Sequence, residues 1–454
     1  MPSCLIYLGI MLAVIIVWFM IVKRPVYEAV LLSFLVLLTV TGTWGNVWGY
    51  INDALSTSLL YSMVAFVSMS ILLTKTKIID SCIAVILSLV GRLTGGAGYA
   101  AVVASSFMGA LSGSGPGNVM ATGSITIPAM IRSGFPRELA ANIESNASYL
   151  GNMIPPSSNI VAAMGAYAAF CVTTGAEEVS TGKFWMVLWI ISLVFIIQRL
   201  AMVFAFCKYY KVKPMAKEDL PNLKETIKTG WQALLLPVII ILPFVLDAAF
   251  KDTFFTARLG ADGAKALSSS ILLFIGGIAA AYSCLIAKDK SVVKINNIVK
   301  IFSDAVKTIA PTIAVCVFGY MIGALFADLN VAGELGAIIA GWNFGKFGTV
   351  LAICVITCFM GMVVPGSSQV VIFGTMFITV LSNVGVDPLV AGAMLPCICG
   401  VMCGITPPLA LGLYAGMSIA GSDFSKTVKN DWWWVAAQFV LQVVILMGWI
   451  PVVF

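Results

Sequence analysis

The sequence predicts an all-α polytopic membrane protein built from an inverted repeat with two re-entrant helical hairpins and two broken helices. Hydrophobic residues make up 60% of the 454 positions, charged residues make up 10%, and the mean hydropathy is +1.02. A soluble domain carries about 25% charged residues. The apolar residues also form runs of bilayer-spanning length. In addition, two long stretches are broken by glycine and proline and match one another in sequence.

Eight uninterrupted apolar runs predict helices that cross the bilayer. Most hold close to the roughly 20 residues that span the hydrocarbon core. They lie at about 4–22, 27–43, 57–74, 184–207, 231–249, 268–286, 304–326 and 432–452. The broken stretches 97–171 and 347–420 each add one hairpin that enters and leaves by the same side, followed by one crossing helix. The chain is therefore predicted to cross the membrane ten times.

The distribution of lysine and arginine predicts the orientation. With ten crossings, 20 of these residues fall on one side and 5 on the other, while Arg199 lies within a span. Because cytoplasmic loops are enriched in Lys and Arg, the first side is predicted to be cytoplasmic and both termini to face outward. Trp432-Trp433-Trp434 then begins the last span at the interface, where aromatic residues are enriched.

The hairpins are predicted from the length of their arms. The arms 97–110 and 117–131 hold about 15 residues each, or roughly 22 Å of helix. That is short for a hydrocarbon core about 30 Å thick. Two full spans in their place would leave the charge bias unchanged, so the bias does not decide between the two topologies.

A shift of 252 positions aligns the two broken stretches without a gap. Phe107-Met108-Gly109 falls on Phe359-Met360-Gly361, Pro136 on Pro388, and Pro155-Pro156 on Pro407-Pro408. Five predicted crossings separate the copies, and an odd number gives them opposite orientations. The first hairpin is therefore predicted to open toward the cytoplasm and the second toward the outside. Inverted repeats whose broken helices meet near the midplane are typical of secondary transporters.

Each copy offers two irregular elements that can bind ions. The hairpin tips are 112–118 and 364–369, and the helix breaks are 152–159 and 404–408. Proline blocks a helical hydrogen bond, and the freed carbonyls together with Ser, Thr and Asn oxygens suit Na⁺. Free N–H groups at helix N-termini suit a carboxylate. The alternative is that these residues only relieve tight helix packing.

The segment 138–152 predicts a polar helix inside the membrane. Two stripes of small and polar residues run along it: Ala141, Ser145, Ser148 and Asn152, and beside them Asn142, Asn146 and Tyr149. A carboxylate such as Glu144 is costly there unless it faces protein or water. We predict that Glu144 either pairs with Arg132 or Arg137, or holds a coupling ion or a proton.

The chain is predicted to divide into five parts. Short helices at 78–92 and 331–345 are interpreted as arms that link a moving unit to fixed helices, and 209–229 as a charged cytoplasmic loop. The segment 294–307 is predicted to be a solvated charged face or an interfacial helix. The parts are N-terminal scaffold helices (1–77), the first arm, hairpin and broken helix (78–171), scaffold helices with the cytoplasmic loop (172–327), the second arm, hairpin and broken helix (328–421), and a C-terminal helix (422–454).

Several function classes are disfavoured by the residue types present. The chain holds no histidine, which removes His-based proton relays, Ser-His triads and most metal catalysis. Cys397, Cys399 and Cys403 cluster without a paired CxxC, and buried cysteines usually act as small hydrophobes. We find no nucleophile beside a base, so neither an enzyme nor a cofactor is predicted. The net charge of +6 is spread over many loops and does not indicate nucleic-acid binding.

Two runs carry a family resemblance. The first extends from GRLTGG at 91–96 through SGSGPGNVMATGSITIPAMIRSGF to GNMIPP at 151–156, and the second from GVDP at 385–388 through GITPP at 404–408 to YAG and IAG at 414–421. The chain resembles the large, DctM-like membrane subunit of tripartite ATP-independent periplasmic (TRAP) transporters over nearly its whole length. Ile143-Glu144-Ser145 and ITPPLALGLYAG are closer to the TAXI branch than to the C4-dicarboxylate branch.

The resemblance implies an elevator-type, Na⁺-coupled symporter in the bacterial inner membrane. It also implies a periplasmic solute-binding protein that delivers a small organic acid, and a small membrane subunit that is a separate polypeptide or absent. Carried over by position, the Na⁺ ligands are Ser112, Ser114, Asn118, Asn152 and Pro155, and in the second copy Gly366, Ser367, Ser368, Gly404 and Thr406. The substrate contacts are Ser114, Thr122, Ser157, Ser158, Ser367 and Pro408, and Glu144 is the candidate for coupling.

Two other transport functions stay open from the sequence. A stand-alone carrier of the wider ion-transporter superfamily would work without a binding protein. A channel would conduct without alternating access and has no need of two oppositely oriented hairpins. Substrate identity, Na⁺ stoichiometry and oligomeric state are not encoded in any motif that we recognise.

Overall fold

A computed structural model describes residues 3–112, 115–215, 218, 222–341, 344–362, 364–407 and 410–453. The N-terminal part forms four helices: α1 (Ser3–Ile16), α2 (Val26–Thr41), α3 (Val47–Ser56) and α4 (Ser58–Lys75). A wide turn over 17–21 prolongs α1. Helix α3 was not predicted, and its axis is bent by 50° from that of α4.

The first broken stretch and its arm form five helices. They are α5 (Ile78–Val90), α6 (Gly96–Ser112), α7 (Gly115–Arg132), α8 (Arg137–Leu150) and α9 (Ser158–Thr174). Helices α6 and α7 pack against each other and against α8. With 17 and 18 residues, the hairpin arms measure roughly 25–27 Å. They are longer than predicted and still shorter than the hydrocarbon core is thick.

The middle of the chain consists of long helices. They are α10 (Thr181–Tyr210), α11 (Leu223–Gly230), α12 (Leu236–Phe250), α13 (Thr256–Ile286) and α14 (Ile295–Asp328). The segment 294–307, predicted to be a solvated charged face or an interfacial helix, forms the start of α14, a continuous helix of 34 residues that contains Pro311. Lys294, Lys300 and Lys307 are exposed there. The predicted loop 209–229 is partly helical, since α10 reaches Tyr210 and α11 begins at Leu223.

The second broken stretch repeats the helix order of the first. Its helices are α15 (Val331–Gly341), α16 (Gly345–Gly361), α17 (Gly366–Asn383), α18 (Pro388–Leu395), a π-helical turn (Pro396–Val401), α19 (Met402–Ile405) and α20 (Leu411–Ala420). The chain then ends in α21 (Phe424–Leu446), which begins eight residues before Trp432. In the described ranges, four segments are long and apolar enough to span a bilayer: Thr181–Tyr210, Leu223–Asp247, Ala266–Ile286 and Pro388–Ile405.

The two stretches pack on each other reciprocally. Helix α9 of the first packs on α17 of the second, and α20 of the second packs on α7 of the first. Thr375 of α17 donates a hydrogen bond to the Ala166 carbonyl of α9 at 3.2 Å. Exchange of equivalent contacts between two copies is the pattern of a two-fold relation. The orientation of each copy in the membrane stays a prediction.

Candidate functional site

The first helix break lies between α8 and α9. One tight turn, Gly151–Met153, follows α8, and Ile154 then turns the chain to an extended conformation. The Ser157 hydroxyl begins α9 by accepting a hydrogen bond from the Asn159 main-chain N–H at 3.3 Å. The break therefore leaves α9 with a free N-terminus inside the protein, as the two prolines predict.

The second break lies between α19 and α20. Thr406 is extended, and its hydroxyl donates to the Met402 carbonyl at 2.7 Å. Ala410, directly before α20, has φ 23° and ψ 44°, a strained region for a non-glycine residue. Such strain clusters at functional sites. Pro408, a predicted substrate contact, lies outside the described residues.

Each hairpin meets its own broken helix through a close backbone contact. A Cβ on Gly151 would collide with the main chain of Gly109, and a Cβ on Gly361 would lie 3.1 Å from Cys403 Cα. Gly109 and Gly361, like Gly151 and Cys403, are separated by 252 positions. The same helix contact therefore occurs at the same place in both copies, which explains why glycine ends both Phe-Met-Gly tripeptides.

The two breaks also meet each other. Asn152 Nδ2 donates to the Gly400 carbonyl at 3.2 Å, and a Cβ on Gly400 would lie 3.4 Å from Asn159 Nδ2. On the other side of the contact, the Tyr149 ring fills the space left by three glycines: Gly115, Gly404 and Gly412. The structure thus gathers the first residues of α7, both breaks and α20 into one buried region.

One buried amide in each hairpin presents an unpaired oxygen. Asn118 and Gln369 are each the fourth residue of their helices, α7 and α17, and each is fully buried. Asn118 Nδ2 donates to the Ser105 carbonyl and to Ser148 Oγ, both at 2.8 Å, and Gln369 Nε2 donates to the Val364 carbonyl at 2.8 Å. Asn118 Oδ1 and Gln369 Oε1 have no hydrogen-bond partner among the described residues. Such buried oxygens indicate a missing donor or cation. Sequence analysis did not single out Gln369.

Glu144 is fully buried and faces the first hairpin. Its Oε1 accepts from Thr122 at 2.5 Å and from Ser148 at 2.9 Å, and its Oε2 accepts from Thr126 at 2.5 Å and Ser105 at 3.0 Å. Arg137, one of the two predicted partners of Glu144, donates instead to the Ala420 carbonyl at 3.2 Å. Hydroxyl groups, rather than an ion pair, surround this carboxylate in the described part of the chain.

The other predicted site residues are placed as follows. Pro155, Ser158, Gly366, Ser368 and Gly404 are buried beside the breaks, and Ser367 is half-buried. The Gly366 N–H donates to Cys403 Sγ at 3.1 Å. The Thr122 hydroxyl is turned to Glu144 and to the Asn118 carbonyl. Ser114 and the Ser112 side chain lie outside what the structure describes.

Helix α8 has a second polar face that sequence analysis left without a partner. Asn142 and Asn146 donate to Asp431 Oδ1, each at 3.0 Å, and so fix α8 to α21. The sequence contains an indication of this contact, because Asp431 is an acidic residue that follows two lysines at the predicted start of a span. Sequence analysis did not use it. The predicted stripe of Ala141, Ser145, Ser148 and Asn152 does not act as a unit, since Ser148 faces Asn118, Asn152 faces Gly400 and Ser145 bonds its own helix.

A cavity of about 840 Å³ lies beside the site. Helices α9 and α17 line one side, and α3, α14 and α15 line the other. Its walls include Gly165, Ala169, Gly323 and Ala327, and none of the predicted site residues lines it. The cavity lies between these two groups of helices, although α14 and α15 also pack directly on α17.

Comparison with known proteins identifies the family of this chain. Residues 4–453 match the family model of the tripartite ATP-independent periplasmic transporter, DctM component. The C4-dicarboxylate TRAP transporter large permease protein DctM of Pseudomonas aeruginosa is 27% identical over 375 residues, which cover 80% of this chain and 78% of that protein. The isethionate TRAP transporter permease protein DctMQ of Oleidesulfovibrio alaskensis is 27% identical over 351 residues, which cover 75% of this chain and 49% of that protein.

A solved structure shares the fold. The structure of Neisseria gonorrhoeae MtrF, described with a class of antimetabolite efflux pumps, superposes with a TM-score of 0.67 at 15% sequence identity. The match covers 92% of this chain and 85% of MtrF. At this identity the likeness concerns the fold alone.

Proposed function

The chain belongs to the DctM component family of TRAP transporters and is a large permease component, and on that premise we propose that it imports a small organic acid in symport with Na⁺. The acid is delivered by a periplasmic solute-binding protein. The two relatives above are named for a C4-dicarboxylate and for isethionate, which are both small organic anions. They are equally similar to this chain, so the identity of the acid is left open. The assignment to the TAXI branch stays a prediction.

The observation that carries Na⁺ coupling is the pair of unpaired buried oxygens, Asn118 Oδ1 and Gln369 Oε1. An unsatisfied buried acceptor costs about 1–3 kcal/mol, and each of these two oxygens belongs to the fourth residue of a hairpin helix. Amide and main-chain oxygens are hard ligands that suit Na⁺. We therefore assign one Na⁺ site to Asn118 with Ser112, Ser114, Asn152 and Pro155, and a second to Gln369 with Gly366, Ser367, Ser368, Gly404 and Thr406.

Helix N-termini support binding of an anion between these sites. Helices α7, α9, α17 and α20 all begin beside the breaks, at Gly115, Ser158, Gly366 and Leu411. Their positive ends favour a carboxylate or sulfonate. Ser157, Ser158 and Ser367, with Ser114 and Pro408, are the proposed substrate contacts. The Thr122 hydroxyl is committed to Glu144, so we place Thr122 behind the site rather than in it.

An elevator movement is supported by the cavity beside α9 and α17. A unit that slides against fixed helices needs clearance, and small residues such as Gly165 and Gly323 occur on both sides of this cavity, beside larger ones such as Tyr320. We propose that the hairpins and broken helices move together, while the long helices of the remaining chain stay in place. The protein would lie in the inner membrane with both termini outside, and any small membrane subunit would be a separate chain.

Uptake by purified protein in proteoliposomes tests the proposal. The probe is the radiolabelled ligand of the solute-binding protein that is encoded beside this chain. We expect uptake only when the binding protein is outside and Na⁺ is present. Uptake without the binding protein would favour a stand-alone carrier, and ion conductance without uptake would favour a channel. Equal uptake in choline and in Na⁺ would contradict Na⁺ coupling.

A further inference from the structure

The Glu144 carboxylate is saturated by hydroxyl groups from three helices. Four hydroxyl groups of α6, α7 and α8 lie at the roughly four acceptor positions that an ionised carboxylate offers. Those of Thr122 and Thr126 also lie within hydrogen-bond distance of main-chain carbonyls of α7. A cation ligated directly by Glu144 would have to displace one of these donors. The geometry therefore does not favour Glu144 as an ion ligand, although it is the buried acid nearest to the first hairpin tip.

The hydrogen bonds from Glu144 have a fixed direction that leads to Asn118. An ionised carboxylate only accepts, so with Glu144 ionised the single Ser148 hydroxyl proton points to Oε1 at 2.9 Å. Ser148 Oγ can then only accept from Asn118, which must present Nδ2 to it, at 2.8 Å. The Asn118 amide therefore presents Nδ2 to Ser148, and its Oδ1 has no hydrogen-bond partner among the described residues.

A second contact favours the same orientation. The Ser105 main-chain carbonyl also requires a donor, and Asn118 Nδ2 supplies it at 2.8 Å. If Ser148 donated its proton to Asn118 Oδ1, that oxygen would be occupied. Glu144 prevents this arrangement because it accepts the Ser148 proton itself. In its ionised form Glu144 also places a negative charge two hydrogen bonds from that oxygen, and charge interactions are strong in a dry interior.

We propose that Glu144 is a positioning residue for the cation at Asn118, acting through Ser148: it holds the Asn118 oxygen free for the ion and supplies a compensating charge. The inference rests on the proposed Na⁺ site. It replaces the two roles predicted from sequence, an ion pair and a direct coupling site. The path runs through Oε1 and the Ser148 hydroxyl, whereas the hydroxyls of Ser105 and Thr126 bind Oε2 and do not bond the Asn118 side chain.

A matched pair of serine variants tests the path. Ser105→Ala and Ser148→Ala each remove one fully buried hydroxyl that donates to Glu144. Only the Ser148 hydroxyl also contacts the Asn118 side chain, whereas Ser105 contacts it through its main-chain carbonyl, which the substitution keeps. Nine of the eleven cysteines are buried, so a thiol-reactive dye reports unfolding of the purified chain. The measurement is the thermal midpoint against NaCl concentration, with choline chloride as the ionic-strength control. Ligand that binds the folded state raises this midpoint.

We expect Ser148→Ala to raise the half-saturating Na⁺ concentration about fivefold and Glu144→Gln about tenfold, since hydrogen bonds to charged groups are the strong ones. Ser105→Ala should stay within about twofold of the unmodified protein. Equal effects of the two serine variants, or an unchanged titration for Glu144→Gln, would overturn the inference. If Glu144→Gln does not fold, the serine pair decides alone. A wild-type midpoint that does not respond to Na⁺ would overturn the Na⁺ site of the proposed function together with this inference.

Discussion

Each hairpin contains one buried amide with an unpaired oxygen, but the residues that hold the two amides differ. Asn118 lies above Ser148 and the buried carboxylate of Glu144, whereas Gln369 is held only by the Val364 carbonyl of its own hairpin tip. At 252 positions from Glu144 the chain has Pro396, which begins the π-helical turn. At the same distance from Ser148 it has Gly400.

This difference shows what the duplication preserved and what it did not. The glycine contact between hairpin and broken helix occurs at equivalent positions of both copies. An unpaired amide oxygen also occurs in both hairpins, but Gln369 lies one position before the residue equivalent to Asn118. The charge and its four hydroxyl donors occur in the first copy only. Packing therefore follows the symmetry of the fold, while the electrostatics differ. We expect the first site to hold its cation more tightly than the second.

The glycine contacts give the largest expected effect. Gly151→Ala would force a methyl group into the main chain of Gly109, whereas Gly361→Ala would bring one to 3.1 Å from Cys403 Cα. We expect Gly151→Ala to destabilise the protein by about 3 kcal/mol or more, and Gly361→Ala by about 1 kcal/mol. The measurement is the thermal midpoint and the yield of monodisperse protein. Equal stability of the two variants would show that the first contact is no tighter than the second.

Removal of the unpaired oxygens gives the next effect. Asn118→Ala and Gln369→Ala each delete one proposed ligand, so both should raise the Na⁺ concentration for half-maximal uptake. The rise should be about tenfold or more for Asn118→Ala and smaller for Gln369→Ala, because only Asn118 lies over a charge. Uptake is measured in proteoliposomes with the binding protein present. A larger shift for Gln369→Ala would reverse the proposed order of the sites.

The smallest effect concerns two equivalent hydroxyls. Thr357, which lies 252 positions after Ser105, bonds only carbonyls of its own helix at 2.9 and 3.1 Å, whereas Ser105 donates to Glu144. Thr357→Val should therefore change stability by less than about 0.5 kcal/mol, and Ser105→Ala should cost about 1–2 kcal/mol. Denaturant or thermal unfolding of the purified variants measures both. A cost for Thr357→Val that matches Ser105→Ala would argue against a special role of the carboxylate.

The helices and breaks were predictable because local chemistry dictates them. Long apolar runs form helices, Pro155-Pro156 ends α8, and the Phe-Met-Gly identities located the copies, since a close backbone approach requires glycine at Gly109. The partners of α8 were less predictable. The 3.6-residue period indicates which residues share a face, but it does not indicate that Ser148 meets a hairpin while Asn142 meets α21.

The site residues likewise include some that were predictable from the sequence and one that was not. Asn118 was predicted from the run of small and polar residues at the first tip, and Glu144 from the cost of a charge in the membrane. Gln369 was missed because nothing in its local sequence shows that its Nε2 is satisfied by Val364 while its Oε1 is not. Only tertiary structure shows which polar atoms remain without a partner.

The central claim is that uptake of the acid is coupled to Na⁺ at these two sites. Its most direct test is ²²Na⁺ entry into proteoliposomes, measured when the loaded solute-binding protein is added outside. We predict that the loaded binding protein stimulates ²²Na⁺ entry in step with substrate entry, and that Asn118→Ala reduces both. Substrate entry without accompanying ²²Na⁺ would contradict the claim.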